Sequence, residues 1–302
     1  MIKPFKLLMG VVSLLASSHS FAALNILACE PEWKALAEEI GGQHVVAHSA
    51  TTAFQDPHHI EARPSLIAKA RKADMVFCAG SELEIGWLPL LLRQSGNPSI
   101  QTDEPGYLMA SDHVKRLDIP TVLDRSQGDI HAAGNPHVHL DPYRLLAIAD
   151  VLYTRLKEVD QKNADTYLNN LNDFKQRWKK SIQVWEVKTK GLKGKEMVVY
   201  HKNWTYLFDW LGVQAVGDLE PKPGLPPTSK HLSALLSQLK QRPADAILYA
   251  SYQPSKSAVW LSKRSGVSAI ELPFTVGASK QIKTLFDLMD SIVDQLSLAV
   301  TP

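Results

Sequence analysis

Residues 161–190 read QKNADTYLNNLNDFKQRWKKSIQVWEVKTK. Within them Tyr167, Leu171, Phe174, Trp178, Ile182 and Trp185 step by four, three, four, four and three. That spacing makes one apolar stripe on an amphipathic helix. The positions between are mostly Lys, Gln, Asn and Asp. Helical throughout, the span would be a rod about 45 Å long at ~1.5 Å per residue. No Gly or Pro occurs from Tyr143 to Lys190, so segment 143–190 reads as a linking helix. A coiled-coil arm is the competing reading, but the stripe is short and a different pattern flanks it on both sides.

That flanking pattern is βα alternation. Before the helix, in 23–142, Asn25–Cys29, His44–Ser49 and Ala73–Ala79 read as strands, with helices over Trp33–Ile40 and Pro64–Lys72. Residues 94–106 and 125–136 are rich in Gly, Pro, Ser and Asn and read as loops. After it, in 191–302, Met197–Tyr200, Gln214–Leu219, Ala244–Ala250 and Ser268–Phe274 read as strands, with helices over Leu232–Lys240 and Ser255–Ser265. Alternation of this kind predicts parallel sheets. The expected fold is therefore α/β: two lobes with mainly parallel sheets joined by one long rigid helix. Ligands of such sheets gather outside the carboxyl ends of the strands, which points to the cleft between lobes.

Residues 1–22 stand apart from this fold. Lys3 and Lys6 precede an apolar run from Leu7 to Ala16, and Ser20-Phe21-Ala22 has small residues where a signal peptidase reads. This is the pattern of a secretory signal peptide cleaved near Ala22. No Cys follows the run, so no lipid anchor is expected, and no later stretch reaches the ~20 apolar residues of a membrane span. The whole chain has 33 basic and 31 acidic residues; losing Lys3 and Lys6 leaves 31 against 31. A neutral chain offers no basic field for nucleic acid or membrane. Cys29 and Cys78 each end an apolar run. In an oxidising compartment they pair, or else they stay as buried thiols; both readings are open. Neither lies in a CxxC.

No catalytic motif is visible, but three of the 11 histidines sit in short motifs at element ends. His58 lies in Asp56-Pro-His-His59, His137 in Asn135-Pro-His-Val-His-Leu-Asp-Pro142, and His201 directly follows the strand Met197–Tyr200. Neighbouring prolines stiffen the approach to the first two. Neutral imidazoles suit zinc, copper or nickel better than manganese or calcium. Spacing alone does not separate three ligands from three surface or satisfied buried histidines.

Asp56-Pro-His58, Pro136-His-Val-His-Leu-Asp-Pro142 and Tyr200-His201 resemble the metal-site motifs of the periplasmic zinc- and manganese-binding proteins of ABC transporters, the ZnuA-like group of cluster A-I. Ala73–Glu84 and Leu219–Thr228 resemble further segments of that family, in the same order along the mature chain. The resemblance implies two α/β lobes, a rigid linking helix and a metal in the interlobe cleft. It implies His58, His137 and His201 as metal ligands, zinc as the bound cargo with manganese less favoured, and a membrane permease as partner. It further implies a monomeric periplasmic binding protein rather than an enzyme.

The sequence departs from the family in two places. No Asp stands where the family often has an acidic ligand; Glu271, Glu61, His59 or water are the candidates for that position. His139 replaces a usual aromatic residue; it either reaches the metal beside His137 or packs in the aromatic's place. Asp141 is expected either to orient a ligating histidine or to cap the helix that follows. His131, in Gly128-Asp-Ile-His-Ala-Ala-Gly134, faintly resembles the histidine-rich loop of some zinc-binding members and reads as mobile surface. Two other classes compete: a zinc hydrolase with Glu61 as base, though HExxH is absent, and an adhesin on the same fold.

Overall fold

The computed structural model describes residues 23–121, 128 and 131–299. The expected signal peptide and part of the loop expected over 125–136 (125–127, 129 and 130) lie outside the described residues.

The first lobe alternates strand and helix: β1 Leu24–Ala28, α1 Pro31–Gly41, β2 Val45–Ser49, α2 Pro64–Arg71, β3 Met75–Cys78, α3 Leu88–Ser95 and β4 Tyr107–Met109. All pairings are parallel, in the order β2-β1-β3-β4. The second lobe repeats the plan with β5 Glu196–Val199, α6 Thr205–Leu211, β6 Gln214–Asp218, α7 Ser229–Gln241, β7 Ala246–Ala250, α8 Lys256–Ser265, β8 Ala269–Leu272 and α9 Leu285–Ala299. Its order is β6-β5-β7-β8, again all parallel. The sequence reading missed β4, a three-residue strand behind a stretch that reads as loop. Gly106 admits it: a Cβ there would stand 2.3 Å from the Ser99 carbonyl oxygen and 2.5 Å from that of Asp74. Only a residue without Cβ lets the chain lie this close to β3.

The linking segment is two helices rather than one. α4 spans Pro142–Val159 and α5 spans Ala164–Lys188. The turn between them is fixed by Asp160, whose carboxylate accepts from Asn163 Nδ2 at 2.6 Å and from the Tyr167 hydroxyl at 2.7 Å. Asp160 itself leaves the helical conformation, at φ −139° and ψ 70°, and these side-chain bonds hold the break. Trp178 Nε1 donates to the Pro142 carbonyl at 2.9 Å, so α5 runs back along α4.

All six stripe residues of α5 are buried. They join one continuous core with β1 and β3 of the first lobe and β5 and β7 of the second. Polar contacts reinforce the bridge at both ends. Asn170 Nδ2 donates to the Ile40 carbonyl at 2.9 Å, and Trp185 Nε1 donates to Asp290 of α9 at 2.6 Å. α5 therefore spaces the two lobes through packing along its whole length. No helix among the described residues is long and apolar enough to cross a membrane.

Candidate metal centre

Three chain segments bring a histidine to the cleft, each held differently. His58 lies beyond β2 on a loop tied down by Trp87, whose buried Nε1 donates to the Pro57 carbonyl at 3.0 Å. Asp56 closes a local turn, with its Oδ1 accepting from His58 N at 3.0 Å and lying 2.7 Å from His58 Nδ1. His201 is carried at the carboxyl end of β5, one residue beyond Tyr200. Its Nδ1 lies 2.7 Å from Glu220 Oε2, an oxygen that also accepts from Gly224 N at 3.0 Å. His137 donates its backbone N–H to Asn135 Oδ1 at 3.0 Å. Asn135 in turn donates to the Lys202 carbonyl at 2.7 Å, which fastens this segment to the second lobe.

The three rings form a nearly even triangle. Centroids of His58 and His137 lie 6.1 Å apart, those of His58 and His201 5.7 Å, and those of His137 and His201 6.2 Å. One nitrogen from each lies within 4.8 Å of the other two. Carboxylates at Nδ1 of His58 and His201 hold the ring proton there and leave Nε2 as a lone pair. His137 Nε2 is fully buried and has no hydrogen-bond partner. A buried, unpartnered lone pair costs about 1–3 kcal/mol, and a cation would satisfy it. Tetrahedral zinc at ~2.0–2.1 Å sets its ligand nitrogens roughly 3.3 Å apart, so three rings drawn in by about an ångström would hold it.

Electrostatics disfavour the charged form of two histidines here, His137 and His131. Burial pushes the His137 imidazole well below its ordinary value, and the charges of His58, His201, His131 and His139 push it further. Burial, then His58 and His201, bring His131 down to about 3. Burial opposes the Asp56 charge, yet its hydrogen bonds to His58 and that residue's charge outweigh it, and Asp56 lies below the usual carboxylate range.

The remaining candidates are placed elsewhere. His139 is buried, with Nε2 donating to the Phe274 carbonyl at 3.0 Å and Nδ1 3.3 Å from Glu32 Oε1. It packs edge-on against Phe274 and Trp33, in the aromatic's role. Asp141 caps α4, accepting from Tyr143 N at 2.8 Å and Arg144 N at 3.0 Å, and pairs with the Arg144 guanidinium rather than with a histidine. Glu61 and His59 are exposed and do not join the trio. Glu271 is an exposed residue of β8 that bonds to Tyr249 across the sheet. His131 departs most from the sequence reading. It lies against His58, with Nε2 atoms 3.2 Å apart and rings stacked at 5.2 Å.

Sequence reasoning missed the carboxylates behind His58 and His201. Asp56 lies inside the first histidine motif, where an Asp two residues before a His signals a local side-chain bond. Glu220 pairs with a histidine 19 residues away, and no local pattern announces that.

Residues 26–299 match the family described as the periplasmic zinc-uptake complex component A. The chain belongs to this family. Members of the zinc-uptake family are metal-binding, substrate-binding proteins of ABC transporters; they are not enzymes, and they work with a membrane permease and its ATPase. Among relatives, the metal ABC transporter substrate-binding lipoprotein SloC of Streptococcus mutans is 24% identical over 91% of this chain and 88% of its own length. The manganese ABC transporter substrate-binding lipoprotein PsaA of Streptococcus pneumoniae is 23% identical over 88% of this chain and 84% of its own. The iron ABC transporter substrate-binding lipoprotein MtsA of Streptococcus pyogenes serotype M1 is 23% identical over 91% and 88%. In three dimensions the fold matches a crystal structure of ZnuA with a TM-score of 0.78 at 20% identity, covering 92% of this chain and all of that one. A manganese-bound periplasmic metal-binding protein from Candidatus Liberibacter asiaticus matches with a TM-score of 0.75 at 14% identity, with the same coverage.

Proposed function

We propose that the protein captures zinc in the periplasm through His58, His137 and His201 and delivers it to the permease of a metal importer. The observation that supports this most is the donor set: three convergent imidazoles, with no carboxylate among the described residues joining the atoms that approach one another. Manganese sites want oxygen donors, whereas zinc accepts an all-nitrogen set. Both nearby carboxylates are already committed to Nδ1 of a ligand, where they raise its basicity rather than replace it.

Relatives named for manganese and iron make the choice of ion the point to test. Competition titration with a chromophoric chelator is expected to give one zinc per chain, with zinc displacing manganese at equal concentration. The His58→Ala/His201→Ala double variant is expected to lose this binding. Undiminished zinc binding in that variant, or preference for manganese, would overturn the assignment. The proposed place of action is the periplasm.

A further inference from the structure

Two of the three rings at the centre are held by a carboxylate, Asp56 behind His58 and Glu220 behind His201. Among the described residues no carboxylate pairs with the ring of His137. Asn135 anchors its backbone, but packing aims its ring. The Phe274 ring meets it edge-on, with centroids 5.3 Å apart and planes at 81°. Phe274 belongs to the second lobe, two residues beyond β8.

We propose that His139, Glu32 and Thr275 form an interlobe clasp that holds Phe274 against His137 and so sets the aim of the third ligand. His139 is a positioning residue in this scheme, and it does not touch the ion. The scheme rests on His58, His137 and His201 being the metal site.

The clasp is a closed ring of contacts among three chain segments. His139 lies in the short 3-10 helix Val138–Leu140 and donates from Nε2 to the Phe274 carbonyl at 3.0 Å. Its Nδ1 lies 3.3 Å from Oε1 of Glu32, in the first turn of α1. A proton between Nδ1 and the carboxylate, on either partner, makes that contact attractive. The other oxygen of Glu32 accepts from the Thr275 hydroxyl. Thr275 follows Phe274 directly, so the ring returns to the peptide where it began. Glu32 and Thr275 are 243 residues apart, and their bond ties the first lobe to the second.

Burial makes the clasp stiff. Glu32, His139 and Thr275 are all buried. Away from water each bond is stronger, and breaking one strands a polar group that water does not reach. Phe274 stands edge-on to His137 and His139 at once, with centroids 5.3 and 5.1 Å away. Such pairs favour an angle as well as a distance. Trp204 and Tyr252 meet the same ring at 5.8 and 5.5 Å. A shift of the Phe274 backbone therefore carries the His137 ring with it. Phenylalanine at 139 would fill similar space without either polar contact; histidine has a nitrogen for the carbonyl and another for the carboxylate. A ligand already held at its binding geometry loses less freedom when the ion arrives. The gain is read mainly as slower release.

Stopped-flow trapping of zinc by excess chelator measures that release. His139→Phe keeps a ring but removes both contacts. Thr275→Val removes the hydroxyl on the far side of the clasp, and His139→Gln restores a donor toward the Phe274 carbonyl. Zinc release is expected to be about 10-fold faster in His139→Phe and in Thr275→Val, the low end for loss of an outer partner of a ligand, with association unchanged. The double variant is expected to release zinc no faster than the faster single variant, because both changes break one ring. His139→Gln is expected to recover most of the slow release. Thr275→Val carries the test alone if His139→Phe does not fold. Unchanged release in either folded variant, or effects that add in the double variant, would overturn the clasp and leave the trio standing. Failure of the wild-type chain to bind one zinc would overturn the trio, and the clasp with it.

Discussion

The two lobes share a strand order but finish their strands in opposite ways. In the first lobe the carboxyl ends of β1 and β3 are joined covalently by Cys29 and Cys78, 49 residues apart. Beside them, buried acids close the turn: Glu84 Oε1 accepts from Ala79 N at 2.8 Å, and Glu30 and Glu32 lie close by. In the second lobe the matching place after β7 is closed by a neutral amide, with Gln253 Oε1 accepting from Ala250 N at 2.7 Å. Gln253 in turn donates to Asn203, which donates to the Tyr252 hydroxyl. The turn after β3 is stapled and titratable, whereas the matching turn after β7 is neutral and hydrogen-bonded. Redox state and pH should therefore act on stability through the first lobe.

Removing the staple gives the largest expected effect. Closing a loop of 49 residues is worth about 4 kcal/mol in the chain-entropy account, and losing native disulfides costs ~2–5 kcal/mol. Denaturant unfolding of Cys29→Ser/Cys78→Ser should show a loss of this size. Equal stability would mean the covalent link only decorates a lobe already held by packing.

Next is Glu84. Burial raises its carboxyl to about 7. A group raised this way stabilises the fold fully below its unfolded value near 4.5, and that stability is lost as pH rises through about 7. Glu84→Gln keeps an acceptor for Ala79 N without the titration. Its stability relative to wild type should rise between pH 5 and pH 8, on the order of 2 kcal/mol. Gln253→Glu in the second lobe should import the same pH dependence. A difference that stays constant with pH would break the comparison.

The ligand anchors sharpen it from another side. His58 depends on Asp56, two residues away and 42% exposed; His201 depends on Glu220, 19 residues away and 12% exposed. Glu220→Gln should lower zinc affinity by about 10–100-fold and Asp56→Asn by less, because an exposed carboxylate is partly replaced by water. The reverse order would show that the local turn matters more than burial.

The smallest expected effect concerns pH and binding. Ligating imidazoles must be neutral, so zinc affinity should weaken as pH falls below ~6.5. Isothermal titration across pH 5–7.5 giving a flat affinity would contradict a nitrogen site.

Much of this was legible in the sequence, because periodicity is local. The α5 stripe from Tyr167 to Trp185, the long strands and the three histidine motifs all show within a few residues of chain. What was hidden depends on contacts distant in sequence. β4 is too short to show a period and forms because Gly106 lets it approach β3. Asp160 breaks the expected single helix through side-chain bonds that spacing does not display. Glu220, Glu84 and His131 take their places from partners brought in by the fold. The pairing of Cys29 with Cys78 was open from composition alone; adjacency of β1 and β3 decides it.

One zinc ion is proposed to sit among His58, His137 and His201. Anomalous diffraction at the zinc edge from zinc-loaded crystals tests it most directly. One peak is expected, ~2.0–2.1 Å from a ring nitrogen of each of the three. A peak beside Glu61, His59 or Glu271, or none in the cleft, would contradict the account.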